Sequence, residues 1–192
     1  MKNNNIFIAM ALESECRGRF VKENIIYTGV GKLNAAYKLT KLISEKSPKI
    51  VINLGSAGST KFNSGSIINC TKFVQRDMNV EPLGFEKWVT PFEKDDSAIL
   101  HYGERLNHLE EGMCGSADNF DISGNKEIYD VVDMEAYALA KICQAENIEF
   151  ICIKYITDGA DGKAAKDWNS SLENASEKLF AEYENISKLS SC

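Results

Sequence analysis

Three carboxylates stand just beyond apolar runs of strand length. Glu13 follows Ile6–Ala9, Asp158 follows Phe150–Ile156, and Glu135 opens a helical pattern after Val131-Val132. Taken singly, each is a helix cap or a solvated loop charge. Together they sit where open α/β sheets gather their loops, beside the small-residue stretch Gly55-Ser56-Ala57-Gly58, which ends a further apolar run at Ile50–Leu54. Such a set supplies an acid, a base and an acceptor for sugar hydroxyls.

Other chemistries are poorly served. Gly29-Val30-Gly31-Lys32 is too short for a phosphate loop, and Leu33 stands where Ser or Thr is needed; Asn34 replaces the last glycine of a dinucleotide fingerprint. A tight strand-to-helix turn accounts for it better. His101 and His108 lack ligand partners at metal-site spacing, which argues against a structural zinc or a Ser-His-Asp triad. No metal or cofactor is implied. Cys16, Cys70, Cys114, Cys143, Cys152 and Cys192 form no C-x-x-C pair, and several lie inside apolar runs, as reduced cysteines of a cytoplasmic protein do.

The elements that must position these groups follow from periodicity. Strands are expected at Ile6–Ala9, Ile25–Tyr27, Ile50–Leu54, Ser66–Val74, Gly112–Ser116 and Phe150–Ile156. Ala36, Leu39, Leu42 and Ile43 place a helix over Lys32–Glu45, and a second runs from about Asp133 to Glu146. Ser170-x-x-Glu173 reads as a capping box opening a last amphipathic helix with Leu172, Ala175, Leu179, Tyr183 and Ile186 on one face. The stretch from Arg76 to Leu106 reads as loop with short elements. Strands alternating with helices predict an α/β fold: one three-layer domain over residues 1–192, with a central mixed, largely parallel sheet flanked by helices.

At 192 residues the chain is long enough to bury about 70% of its unfolded surface. A net charge of −6 without a basic run disfavours nucleic acid and anionic membranes as partners. The apolar run Ile6–Leu12 is too short, and too soon broken by Glu13 and Glu15, to be a signal peptide or a membrane span.

Seven stretches, in order, carry a family resemblance: Ile8–Glu13, Thr28–Ala36, Ile52–Gly58, Gly65–Ile68, Ser116–Phe120, Val132–Ala136 and Tyr155–Asp161. The chain resembles the purine nucleoside phosphorylase and nucleosidase superfamily, and within it the bacterial 5′-methylthioadenosine/S-adenosylhomocysteine nucleosidases. Asp133-Met134-Glu135-Ala136 and Thr157-Asp158 are the most specific segments; the glycine turns are the least.

The resemblance implies hydrolysis of the N-glycosidic bond of adenine nucleosides, an activity of methionine salvage, in a cytoplasmic homodimer. Glu13 would position and deprotonate the attacking water, and Asp158 would donate a proton to purine N7. Glu135 would hold the ribose hydroxyls with Met134 packed on the sugar. Phe120 would stack on the base, within a loop of Asp118, Asn119, Phe120 and Asp121 whose backbone meets the base edge. Ser56, with Ala57 and Gly58, would lie near the water. Bond cleavage builds positive charge on the ribose and negative charge on the leaving base, which carboxylates and a carboxylic acid respectively offset.

Three departures from the family stand out. Only Cys16–Asn24 bridges the first strand and the Gly-Val-Gly turn, where the family usually has a helix and a hairpin; Phe92–Met113 is compact; and Lys154 stands where Arg is usual. Two other functions stay open from the residues: a purine nucleoside phosphorylase using phosphate, and a nucleoside-binding relative without catalysis. A phosphorylase needs cations around its anion, and the loop Asn53–Ser56 has none. The apolar segment Met78–Phe92 either folds on its own core or closes a neighbour's pocket in a dimer.

Overall fold

The computed structural model describes residues 5–21, 23–93, 97–121, 123–124, 127–160 and 164–189. Asp161 and Cys192, named above, lie outside them. The elements run β1 (Ile6–Met10), α1 (Glu13–Cys16), β2 (Ile25–Tyr27), α2 (Lys32–Lys46), β3 (Ile50–Gly58), β4 (Ile67–Gln75), a 3₁₀ turn at Glu81–Leu83, β5 (Leu100–His101), β6 (Glu110–Ser116), β7 (Val131–Asp133), α3 (Ala136–Ala145), β8 (Glu149–Asp158) and α4 (Ala164–Leu189).

The long strands are apolar on both faces because helices cover both. Side chains alternate along each strand. Phe7 and Ala9 of β1, Val51 of β3, and Phe150, Cys152 and Ile156 of β8 meet α2 and α3 through Ala35, Leu39, Leu42, Leu139 and Cys143. The intervening Ile8 and Met10, Ile52 and Leu54, and Ile151 and Ile153 meet α4 through Ala175, Leu179, Tyr183 and Ile186. The expected mixed sheet between helical layers is therefore the observed one. No described helix is long and apolar enough to cross a membrane.

β1 pairs in parallel with β2 and β3, β3 with β8, β4 with β6, and β6 with β7; β4 runs antiparallel to β8 and β5. A single antiparallel bridge, Gly58 to Val132, joins β3 to β7 and closes β3, β8, β4, β6 and β7 into a ring. One edge of β3 carries β8 along its whole length. The other carries β1 at Ile50–Asn53 and β7 only at Gly58. Between them the sheet splits, at Leu54–Ala57.

Two expectations are corrected. Gly55–Gly58 is not a turn after the strand but its last four residues. Small side chains suit a turn and a close approach alike; here they let β3 approach other elements. A Cβ on Gly58 would lie 2.7 Å from Asp158 Oδ1 and 3.1 Å from Val132 Cγ2. The last helix begins at Ala164, not at Ser170. Ala164, Ala165 and Lys166 are strong helix formers with no breaker after them, so the capping pattern falls inside the helix.

Candidate active site

A cavity of about 250 Å³ opens where the sheet splits, with Leu54, Gly55, Ser56, Ala57 and Gly58 of β3 along it. The chain leaves β1 through Ala11 and Leu12 and turns into the one-turn helix α1. Leu12 is its N-cap, so Glu13 is the first helical residue and Glu15 the third. A carboxylate at that third position reaches back to the cap amide: Leu12 N donates to Glu15 Oε2 at 3.0 Å. The same turn aims Glu15 at the split edge of β3, where Ser56 N and Ser56 Oγ donate to Glu15 Oε1 at 3.0 and 2.7 Å. Glu15 is 4% exposed and lines the cavity. Glu13, the residue expected beside the water, is exposed and outside the cavity lining. The carboxylate at this corner is Glu15.

Glu135 is the N-cap residue of α3, separated from β7 only by Met134. Its Oε1 accepts the Gly31 amide at 2.8 Å. That approach needs glycine: Gly31 has φ +92°, and a Cβ there would lie 2.9 Å from Asp118 Oδ1. Burial, and next the charge of Asp133, push the Glu135 carboxyl up to about 7. Asp133 itself is held below the usual carboxylate range: burial opposes this, and Lys154, Ser116 and the Ala136 amide outweigh it. Lys154 Nζ lies 2.8 Å from Asp133 Oδ2, both side chains at most 2% exposed. The ammonium is driven upward in turn, Asp133 overcoming its burial.

Asp158 ends β8 and is 5% exposed. Its Oδ1 accepts the Ala160 amide at 2.9 Å, and Thr157 Oγ1 lies 2.6 Å from Oδ2. Thr157 Oγ1 also lies 3.2 Å from the Ala57 carbonyl, so its one proton is shared between two acceptors.

On the third side stand Asn119, Phe120 and Asp121, with Met134 and Val30. Phe120 is 48% exposed, at the rim. Asp118, expected with this group, is exposed and outside the lining; its Oδ1 accepts Lys32 N at 2.7 Å in the first turn of α2. Ser56, Ala57, Gly58, Asn119, Phe120, Asp121, Met134, Glu135 and Asp158 are thus brought together as expected, while Glu13 and Asp118 are not.

Sequence reasoning missed Glu15, Arg76 and Lys154 as cavity residues. Glu15 left no readable signal, because a leucine cap and a one-turn helix leave no pattern in the sequence. Lys154 was legible as a charge inside the apolar run Phe150–Ile156, which demands a buried partner. Arg76 lies just past β4, and its place in the cavity has no sequence signature.

The chain is similar to known proteins along most of its length. The family model described as the Phosphorylase superfamily matches residues 16–185. The 5′-methylthioadenosine/S-adenosylhomocysteine nucleosidase of Actinobacillus succinogenes is 28% identical over 190 residues, covering 88% of this chain and 81% of that protein. The enzyme of the same name from an Exiguobacterium species is 30% identical over 173 residues, covering 79% and 74%. Among solved structures, the Helicobacter pylori nucleosidase with butyl-thio-DADMe-Immucillin-A superposes with a TM-score of 0.85 at 19% identity, covering 95% of this chain and 97% of that one. A futalosine hydrolase mutant of the same organism gives 0.81 at 18%, covering 93% and 98%. With the family model spanning both helical faces and nearly every strand of the split sheet, the chain belongs to the phosphorylase superfamily.

Proposed function

We propose that the protein is an N-glycosyl hydrolase of adenine nucleosides of the 5′-methylthioadenosine or S-adenosylhomocysteine type. One observation carries the reading: Glu15, tied twice to Ser56, and Asp158, fixed by Ala160 and Thr157, line the same cavity. Asp158 in its protonated form donates to purine N7 as the glycosidic bond lengthens. Glu15 takes a proton from water, which adds to the anomeric carbon. Glu135 accepts from the ribose hydroxyls, and Phe120 covers the base. The shared name of the relatives supports the same chemistry.

Water is favoured over phosphate by the charges around the cavity. Its lining carries Glu15, Asp121, Asp133, Glu135 and Asp158 against Arg76 and Lys154. Lys154 is already paired with Asp133, and Arg76 lies 3.8 Å from Asp121. A phosphate here would meet Glu15 without a free cation to hold it. The test is a panel of nucleosides with and without phosphate. Free 5-substituted ribose at a phosphate-independent rate is expected. Sugar 1-phosphate at a rate rising with phosphate would make the protein a phosphorylase, and binding without turnover would make it a nucleoside-binding relative.

A homodimer completes the proposal. In the segment Met78–Phe92, Leu83 is 75% and Phe92 93% exposed, while Val89 is buried. Phe85 and Phe92 pack edge to face, 5.5 Å between centroids. Exposed side chains on a locally braced loop suit a partner's surface. Phe92→Asp should shift a dimer toward monomer by light scattering; a wild type that is monomeric and fully active at micromolar concentration would remove the idea. Among the described residues the five thiols of Cys16, Cys70, Cys114, Cys143 and Cys152 are buried and unbridged, which suits the reducing cytoplasm.

A further inference from the structure

We propose that Arg76 and Asp77, consecutive residues beyond the carboxyl end of β4, form a clamp that holds the loop Asp118–Asp121 in place for the purine, making Arg76 a positioning residue for base recognition. The proposal rests on the nucleosidase reading above and deepens it.

The clamp grips three of the four loop residues, Asp118, Asn119 and Asp121. Arg76 Nη2 donates to the Asn119 carbonyl at 2.6 Å and Nη1 to Asn119 Oδ1 at 3.1 Å. Nη1 also lies 3.8 Å from Asp121 Oδ2, with the two side chains 7% and 13% exposed. Asp77 Oδ2 accepts the Asp118 amide at 3.0 Å, while Oδ1 pairs with Lys32 Nζ. Lys32 N returns a bond to Asp118 Oδ1. The base of the clamp is itself held, because Arg76 N donates to the Ser116 carbonyl at 3.0 Å and the Arg76 carbonyl accepts Trp88 Nε1 at 3.1 Å.

A planar guanidinium fork suits this task, since it reaches two acceptors of one residue at a fixed angle. The fit has a cost. Arg76 Nε is the one buried side-chain polar atom without a partner among the described residues. An unmade buried hydrogen bond is unfavourable, so the guanidinium is seated for Asn119 and Asp121 at the expense of its own full satisfaction. Occupying both oxygens of Asn119 leaves the backbone of Phe120 and Asp121 to meet the base edge. Arg76 acts on the base through the loop.

The experiment separates the two halves of the ligand. Calorimetry gives the Kd of adenine and of 5-methylthioribose for wild type, Arg76→Met, Arg76→Lys and Asn119→Ala, with kcat and KM for methylthioadenosine. Losing the charged fork should raise KM and the adenine Kd about tenfold or more, with the sugar Kd unchanged. Arg76→Lys should recover only part, because an ammonium does not span both acceptors. Asn119→Ala, which keeps the guanidinium and the carbonyl, should shift adenine binding the same way by a smaller factor. Unchanged adenine binding in both Arg76 variants and in Asn119→Ala, or adenine and sugar weakened together, overturns the clamp while the nucleosidase reading stands. A wild type that neither binds adenine nor cleaves the nucleoside overturns both.

Discussion

Ser56 gives both its backbone N–H and its hydroxyl to a single oxygen of Glu15, at 3.0 and 2.7 Å. The amide is available because β3 has lost one neighbour there: β1 stops pairing at Asn53 and β7 joins only at Gly58. The split of the sheet thus both opens the cavity and supplies the donors that orient Glu15.

The first prediction separates two glutamates two residues apart. Glu15→Gln should lower kcat by about 10²–10⁴, the usual worth of a general base, because glutamine cannot take the proton from water. Glu13→Gln should leave kcat within about twofold, since an exposed charge outside the cavity has nothing to do with the transition state. Steady-state kinetics of both variants decides it; the opposite ranking returns the role to Glu13.

Glu13 and Glu15 also mark where sequence reading stops. The strands were legible because helices on both sides demand apolar residues at every position of Ile6–Met10 and at all of Ile50–Leu54 except Asn53. α2 and α3 were legible from three- and four-residue spacing. Which of two glutamates turns inward depends on where α1 is capped, and a one-turn helix leaves no periodicity to read. Gly55–Gly58 misled for a related reason: small residues mark a turn and a close approach alike. Arg76 was invisible because it binds Asn119, 43 residues away, beyond the neighbouring strand β6.

A second prediction concerns pH. The Glu135 carboxyl is pushed from 4.5 to about 7, by burial first and then by Asp133. A raised carboxyl means that the folded chain keeps a proton which the unfolded chain has lost. The stability this group contributes is full below pH 4.5 and is lost as pH rises to about 7. At 1.36 kcal/mol per unit, the difference 7 − 4.5 corresponds to about 3 kcal/mol. Urea denaturation of wild type against Glu135→Gln should show that difference disappearing across this window. Ribose hydroxyls donating to the carboxylate favour its ionised form, so nucleoside binding near pH 7 should release a proton. Equal calorimetric heats in two buffers of different ionisation enthalpy would contradict it.

A third prediction concerns Lys154 and Asp133. Lys154→Met leaves the Asp133 carboxylate buried without its counter-charge, which typically costs about 3–5 kcal/mol. Adding Asp133→Asn should recover part of the loss, because no charge is then left buried. Denaturation midpoints of the single and double variants measure the coupling. Additive effects would mean that the 2.8 Å contact carries no net stability.

The last prediction is the choice of base. Asp158 presents a carboxyl whose plane is fixed from both sides, Oδ1 by the Ala160 amide at 2.9 Å and Oδ2 beside Thr157 Oγ1 at 2.6 Å. Donating its proton to purine N7 leaves its second oxygen toward the exocyclic group at position 6. An amino group there donates to that oxygen. A 6-oxo group sets two acceptors against each other in a site where Asp158 is 5% exposed. The fixed plane keeps the carboxyl from rotating away. An unmade buried hydrogen bond costs about 1–3 kcal/mol, or roughly tenfold to a hundredfold in rate when expressed in the transition state. Methylthioadenosine or adenosine should therefore exceed inosine in kcat/KM by that factor under one set of conditions. Asp158→Asn should narrow the ratio while lowering both rates, because an amide nitrogen can donate to a 6-oxo group but supplies no acidic proton. A ratio near one in the wild type, or one favouring inosine, would remove both the base assignment and the proposed orientation of Asp158.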